Sequence, residues 1–409
     1  MKLQWRTFFA LLILPLSAQP LEGFVEGRLG GRLQSDPGQD SATIRELRLQ
    51  VGKTHYAGPL ELEVKADLLY DDLDGYRNQV DVRTGGGWVD VRTASAAFRP
   101  TMWMDVKAGR QVLTWGTGDL LFLNDLFPKD WQSFFNGRDL EYLKAPSDAV
   151  WISVFPGDWT LDVVWTPRFN SDRYLDGDGI SFFPGTYTPD NPLPVDEPDG
   201  MEWSLRAARH VGSVETAMYA YEGYWKSPGG MDAEGRGIFP ELRVWGASVL
   251  FPAAGGLLNA ETAYYDSLED RQGTNPGVNN SEARFLLGYT RELKTNLTMG
   301  VQGYAEWMRN YDAYTETQPE MQPARDEWRR LGTLRLTRHL MNQKMMLSGF
   351  VFYSPTDQDM YLRGSVEYAW SDQWMTTLGA NAFAGEKEHT FFGQFEDNSN
   401  LYVAIRRWF

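Results

Sequence analysis

From Leu60 to Leu68 the chain alternates without a break: Leu60, Leu62, Val64, Ala66 and Leu68, with Tyr70 after them, fall on one side, Glu61, Glu63, Lys65 and Asp67 on the other. A period of two belongs to a strand with one apolar and one polar face, and a helix would spread the same charges round its circumference. The pattern recurs where Leu47, Leu49 and Val51 oppose Glu46, Arg48 and Gln50, and where Phe285, Leu287, Tyr289 and Leu293 oppose Glu282, Arg284 and Glu292. Followed along the whole chain, it predicts about eighteen strands of roughly ten to fourteen residues, long enough to cross a bilayer at a tilt. About sixteen is the alternative count, because the stretch from Trp88 to Gln111 and the segment near Phe391 can each be divided in two ways.

The connectors alternate in length. Short ones begin at Arg99, Phe155, His210, Pro252, Glu292, His339 and Trp370, and long polar ones cover 70–87, 113–147, 168–200, 226–241, 270–281 and 309–327. A soluble sandwich or propeller would show evenly short turns. Alternation predicts an all-β fold, a transmembrane antiparallel up-and-down β-barrel with long loops at one end and tight turns at the other. Closure requires the first strand to pair with the last. From Phe24, Val25, Leu29 and Leu33 oppose Glu26, Arg28 and Arg32; at the other end Leu401, Val403 and Ile405 oppose Asn400, Tyr402, Ala404 and Arg406.

Aromatic residues concentrate at the predicted strand ends: Tyr70, Trp88, Trp103, Trp159, Trp165, Tyr224, Trp225, Tyr264, Tyr265, Trp307, Trp328, Tyr353, Tyr361, Trp370 and Trp374. This distribution predicts two girdles at the membrane interfaces. The N-terminal segment has a different pattern, with Lys2 and Arg6 ahead of an apolar run from Phe8 to Leu16 and then Ser17 and Ala18. That layout is a secretory signal peptide over 1–18, which leaves 19–409 as the barrel. The chain has no cysteine, so disulfides, thiolate metal sites and covalent haem attachment are excluded, and no cofactor is expected. A formal charge of −16 argues against a nucleic-acid partner, which would need a basic face.

With these features in place, the chain resembles Gram-negative outer-membrane barrel proteins, whose last strand ends in phenylalanine. The match lies at Leu401, Val403, Ile405 and Phe409, whereas Arg407 stands where an apolar residue is usual. The resemblance implies location in the outer membrane of a Gram-negative bacterium, contact with its lipids, and recognition by the barrel-assembly machinery through the final strand. The stretch "RQVLTWG" from Arg110 is similar to an R-Q-x-x-x-W-G signature of porin-like families, some linked to export of lipid or other hydrophobic material.

Three sets of residues are candidates for function. Glu61, Glu63, Lys65, Asp67, Arg206, Arg243 and Arg284 lie opposite apolar faces and are expected to line a water-filled lumen, since side chains cannot fill so wide a barrel. The loop over 113–147, the third long one when the connector after the Phe24 strand is counted, carries Leu120, Leu121, Phe122, Leu123, Leu126, Phe127, Trp131, Phe134 and Phe135, more apolar surface than a loop normally shows to water. It is therefore expected to fold inward over about 113–147, as the third loop of general porins does. Arg110, Asp119, Asp125, Lys129, Asp130, Arg138 and Asp139 are then the candidate constriction residues. Asp172, Asp176 and Asp178 in the fourth long loop could offer oxygens to calcium, although the full loop pattern for that ion is missing. Catalysis has little support: there is no G-x-S-x-G, H-E-x-x-H or P-loop, and His210 with Ser213 flanks a tight turn. The expected function is a porin-like channel for passive diffusion of small solutes, with no enzymatic activity. The alternative is a conduit or scaffold that works with a periplasmic transport partner in export of hydrophobic material or in electron transfer.

Overall fold

The computed structural model describes residues 20–36, 38–71, 73, 80–183, 185–188, 190–319 and 323–409, so the signal-peptide segment 1–18 lies outside the described residues. Eighteen strands form one closed antiparallel sheet. In chain order they are β1 Glu22–Arg32, β2 Ala42–Ala57, β3 Leu60–Asp71, β4 Val89–Thr101, β5 Met104–Val112, β6 Pro146–Val154, β7 Trp159–Thr166, β8 Glu202–Val211 and β9 Val214–Tyr224. They continue as β10 Glu241–Ala253, β11 Gly256–Ser267, β12 Glu282–Lys294, β13 Leu297–Met308, β14 Trp328–Leu340, β15 Met345–Ser354, β16 Asp359–Ala369, β17 Trp374–Gly385 and β18 Asn400–Trp408. Each strand pairs with its sequence neighbour, and β18 returns to β1 in register from Phe24 opposite Trp408 to Arg32 opposite Asn400. Closure leaves no exposed sheet edge.

Eight short turns lie at one end, at 58–59, 102–103, 155–158, 212–213, 254–255, 295–296, 341–344 and 370–373. Gly58 and Gly212, both at φ +62°, supply the left-handed backbone that two-residue hairpins need. The stretch from Trp88 to Gln111 resolves into β4 and β5 about the turn 102–103. Long connections occupy the other end with one exception: 355–358 has four residues. There the Asp357 N–H donates to Ser354 Oγ at 3.1 Å and the Gln358 N–H to the Ser354 carbonyl at 2.9 Å, so the turn closes on itself without more chain.

The wall is polar inside and apolar outside, the reverse of a soluble protein. Val25, Leu29, Leu47, Leu68, Leu287, Leu378, Leu401 and Ile405 are exposed on the outer face, while Glu26, Arg28, Glu46, Arg48, Asp67, Glu261 and Glu282 are buried on the inner one. Such a surface is stable only against hydrocarbon. At the loop end Trp307 stacks on Trp328 with ring centres 5.2 Å apart, and Trp165 on Trp203 at 6.1 Å; at the turn end Trp103, Trp370 and Trp374 are exposed. Not every strand-end aromatic joins these girdles. Trp225, Tyr265 and Tyr361 are buried and face inward, because the lumen near the loop end holds an apolar segment that needs an apolar wall.

Candidate functional site

The segment 113–145 between β5 and β6 packs against the inner wall. Its apolar residues Leu123, Phe134, Phe135 and Leu143 form one buried cluster with wall residues Leu242, Val244, Tyr265, Leu286, Phe352, Tyr361 and Phe383. The rings meet edge-on and stacked; Phe135, for example, lies 5.6 Å from both Tyr361 and Phe383. Burial of this surface is the main force on the segment. A short helix, α1 Trp131–Phe135, places those rings, and the Asp130 side chain caps it by accepting the Ser133 N–H at 2.7 Å.

Polar wall side chains then fasten the backbone. The Glu261 carboxylate accepts from the backbone N–H of Thr117, from the Thr117 hydroxyl at 2.8 Å, from the Gly118 N–H at 2.9 Å and from Asn124 Nδ2 at 2.8 Å. Tyr265 donates to the Leu123 carbonyl at 2.6 Å, and Arg363 to those of Phe134 at 2.8 Å and Arg138 at 2.6 Å. Arg28 donates to the Gly137 carbonyl at 2.6 Å and Arg92 to that of Lys144 at 2.7 Å. Gly137, at φ +79°, lies flat on the Tyr402 ring, where a Cβ would stand 2.3 Å from a ring carbon. Of these anchors, Arg28 stands opposite an apolar face in the alternating pattern and Tyr265 falls among the strand-end aromatics, and the pattern assigns neither of them to the loop. Their partners are backbone atoms, so no motif pairs them.

The candidate constriction residues part into three groups. Asp125 and Lys129 are buried within the segment and bonded to each other at 3.1 Å, and Asp130 is held by Arg173 at 3.1 Å. Arg138 meets Glu46 at 2.6 Å, and Asp139 meets Arg406 at 2.5 Å and Arg28 at 3.3 Å. Burial alone would raise the Asp139 carboxyl; Arg406 and Arg28 outweigh it and hold it below the ordinary carboxylate range. Asp119 bonds Arg335 at 2.8 Å, and with side chains 40% and 31% exposed this pair is the most accessible to solvent of the three.

Arg110 departs from the expectation. It projects from β5 on the face opposite Lys107 and Gln111, where it bonds Asp148 at 2.9 Å and donates to the Val82 and Arg83 carbonyls. It thus ties down residues 80–88 from the outward face of β5. The rest of "RQVLTWG" works at the base of the inward segment. Gln111 Nε2 donates to the Ala149 carbonyl at 3.2 Å, and Trp115 packs edge-on against Phe127 at 5.0 Å and Trp151 at 6.5 Å. Gly116, at φ +83°, makes the turn that brings Thr117 to Glu261.

Among the wall candidates, Asp67 bonds Arg48 and Gln50, Glu63 meets Lys107 at 3.4 Å, and Arg206 meets Asp162 at 3.2 Å and Glu215 at 3.1 Å. Glu61 and Lys65 share their face of β3. Arg284 lies 3.9 Å over the Tyr265 ring and bonds Glu282. Arg243 is the correction. It lies on the outer face with Trp245 and bonds Glu222 at 2.9 Å, because β10 turns Leu242 and Val244 inward onto the loop cluster. Here the apolar face is the lumen face, and alternation reads inside out.

Between the loop-end halves of β2 and β3, residues 81–88, segment 113–145 and residues 170–179 lies a cavity of about 430 Å³. Nine carboxylates and four arginines line it. Asp172 is one of them, and it accepts from the Lys129 N–H at 2.7 Å, Trp131 Nε1 at 2.9 Å and Ser227 Oγ at 2.7 Å. Asp176 accepts the Asp178 N–H at 3.0 Å. Among the described residues no group of three or more such side chains is placed to hold a metal ion.

No protein-family model matches the chain, and no curated protein does. Among solved structures, OccAB1 of Acinetobacter baumannii superposes with a TM-score of 0.53 at 10% identity over 95% of each chain. A variant of the Rh. blastica porin matches at 10% identity over 95% of this chain and 99% of that one, with a TM-score of 0.39. At that identity the likeness to OccAB1 speaks for the fold alone, a closed eighteen-strand transmembrane β-barrel.

Proposed function

We propose that this chain is an outer-membrane channel through which small polar solutes diffuse passively, narrowed by the segment 113–145. The observation that carries the reading is the segment itself. Its apolar side is spent on the wall, and Asp119, paired with Arg335, is left half exposed as the charge a passing solute meets. A ring of fixed side-chain charges at a narrowing selects by size and sign, with no chemical step. The cavity at the loop end, with nine carboxylates to four arginines, lies on the path from outside and concentrates cations there. The likeness of "RQVLTWG" to porin-like families fits this reading, since Gln111, Trp115 and Gly116 set the base of the segment. Delivery to the membrane would run through the assembly machinery, which reads β18 and Phe409.

The test is single-channel current of the refolded protein in a planar bilayer under a salt gradient. Stable steps with cation preference are expected, and removal of Leu120 to Phe135 should raise the conductance. Silence from a barrel whose circular dichroism shows it folded would turn the reading to a plugged scaffold.

A further inference from the structure

We propose that the outer rim where β13 meets β14 is a docking site for the phosphorylated headgroup of an outer-leaflet glycolipid. The proposal rests on the outer-membrane placement above, which puts the long-loop end outside. Trp307 and Trp328 lie opposite each other in register there, with rings 4° from parallel on the lipid side. Such rings settle at headgroup level. The Arg309 guanidinium lies 4.2 Å over the Trp307 ring, and Arg330 is exposed opposite Ala305, one outward position below the tryptophan pair. A long arginine side chain at that depth reaches up to the interface.

What sets these two apart is their lack of carboxylates. Other arginines on the outer face near this rim are paired: Arg45 with Asp40 at 2.8 Å, Arg110 with Asp148 at 2.9 Å, Arg243 with Glu222 at 2.9 Å and Arg271 with Asp266 at 3.0 Å. Arg309 and Arg330 meet no carboxylate among the described residues. Two unpaired guanidiniums beside the headgroup layer suit phosphate, which arginine binds through two parallel hydrogen bonds. A groove of about 510 Å³ opens beside Arg309, lined by Arg271, Trp307, Arg309, Tyr311, Asp312 and Glu327, while Arg330 stands outside it on the lipid side of the tryptophan pair. Tyr311 offers a stacking face and Asp312 an acceptor for sugar hydroxyls, which favours a glycolipid over a simple phospholipid. Below, Val301, Leu334 and Leu336 are exposed for acyl chains to lie against.

The experiment uses the full chain refolded into phosphatidylcholine nanodiscs containing bisphosphorylated lipid A, with retained lipid counted by native mass spectrometry. Wild-type protein should retain lipid A, and Arg309→Gln with Arg330→Gln should weaken retention about tenfold, the loss expected for charge-assisted hydrogen bonds. Arg243→Gln, from a paired site, should retain as wild type does, and dephosphorylated lipid A should be held no better than phosphatidylcholine. Folding is checked by heat-modifiable mobility, and Arg330→Gln alone is the second variant if the double one does not fold. Equal retention by variant and wild type overturns the site; displacement of lipid A by inorganic phosphate overturns the lipid as its ligand. Because retention is read without current, a silent channel that still holds lipid A would count against the proposed function alone.

Discussion

Glu261 takes both the backbone N–H and the hydroxyl of Thr117, so a single buried carboxylate on β11 fixes the point where the inward segment leaves the wall. The same carboxylate holds Gly118 and Asn124, which closes the turn begun at Gly116. Glu261→Gln keeps the size and removes the charge, leaving an amide that offers donors where donors already crowd. The expected cost is about 1–3 kcal/mol of local stability, the range for a buried donor left unsatisfied. Because the apolar cluster stays intact, the barrel should fold and only the first turn of the segment should loosen. Open-channel noise in single-channel records should rise; a noise spectrum identical to wild type would show that the segment is held elsewhere.

The pair Asp119 and Arg335 predicts selectivity. Each side chain keeps about a third or more of its surface in contact with solvent, so in the proposed channel its charge would act on ions in transit. Asp119→Asn should lower cation preference and Arg335→Gln should raise it, with reversal potentials moving in opposite directions. A pair at 2.8 Å and this exposed contributes only about 0–1 kcal/mol to stability, so both variants should melt close to wild type. Shifts of the same sign in both would remove the pair from the ion path.

Arg243 and Arg284 test the assignment of the wall. Both lie in alternating stretches and read alike in the sequence, yet Arg284 stands over Tyr265 inside the barrel and Arg243 pairs with Glu222 outside. Arg284→Ala should disturb conductance, since it strips Glu282 and the Tyr265 ring of their cation. Arg243→Ala should leave current and selectivity as they are. An equal effect from both would mean that the faces of β10 are misassigned.

That contrast also shows what the sequence could and could not convey. Period-two alternation and connector length were enough for the closed eighteen-strand fold, because lipid on one side and water on the other impose opposite demands on successive residues. The rule holds only where the lumen is wet. Leu242, Val244, Trp225, Tyr265 and Tyr361 face an apolar segment, so the inner face is apolar there, and on β10, where Arg243 turns outward, the periodicity reverses its sign. The apolar content of 113–145 was legible, and so were the charges beside it. Which charges stay exposed was not, since Asp125 and Lys129 bury each other while Asp119 reaches across to Arg335, a partner 216 positions away in the chain.

Acid should release the far end of the segment. Asp139 accepts from Arg406 and Arg28, and although burial pushes its carboxyl up, those two arginines bring it below the ordinary carboxylate range of about 3.9. A group whose pKa is depressed in the folded state contributes fully above its unfolded value, and the contribution is lost as pH falls through the folded value. Conductance and noise should therefore stay level from neutral pH down to that ordinary range and change only below it. Asp139→Asn should bring the acid behaviour to neutral pH, since it removes the charge at every pH while keeping the side chain's shape. The segment would still be tied through the Gly137 and Arg138 carbonyls to Arg28 and Arg363, so the change is a looser narrowing and not an unfolded barrel. The measurement is a pH titration of single-channel current for wild type and variant side by side; a variant that keeps the wild-type acid transition would place the titrating group elsewhere.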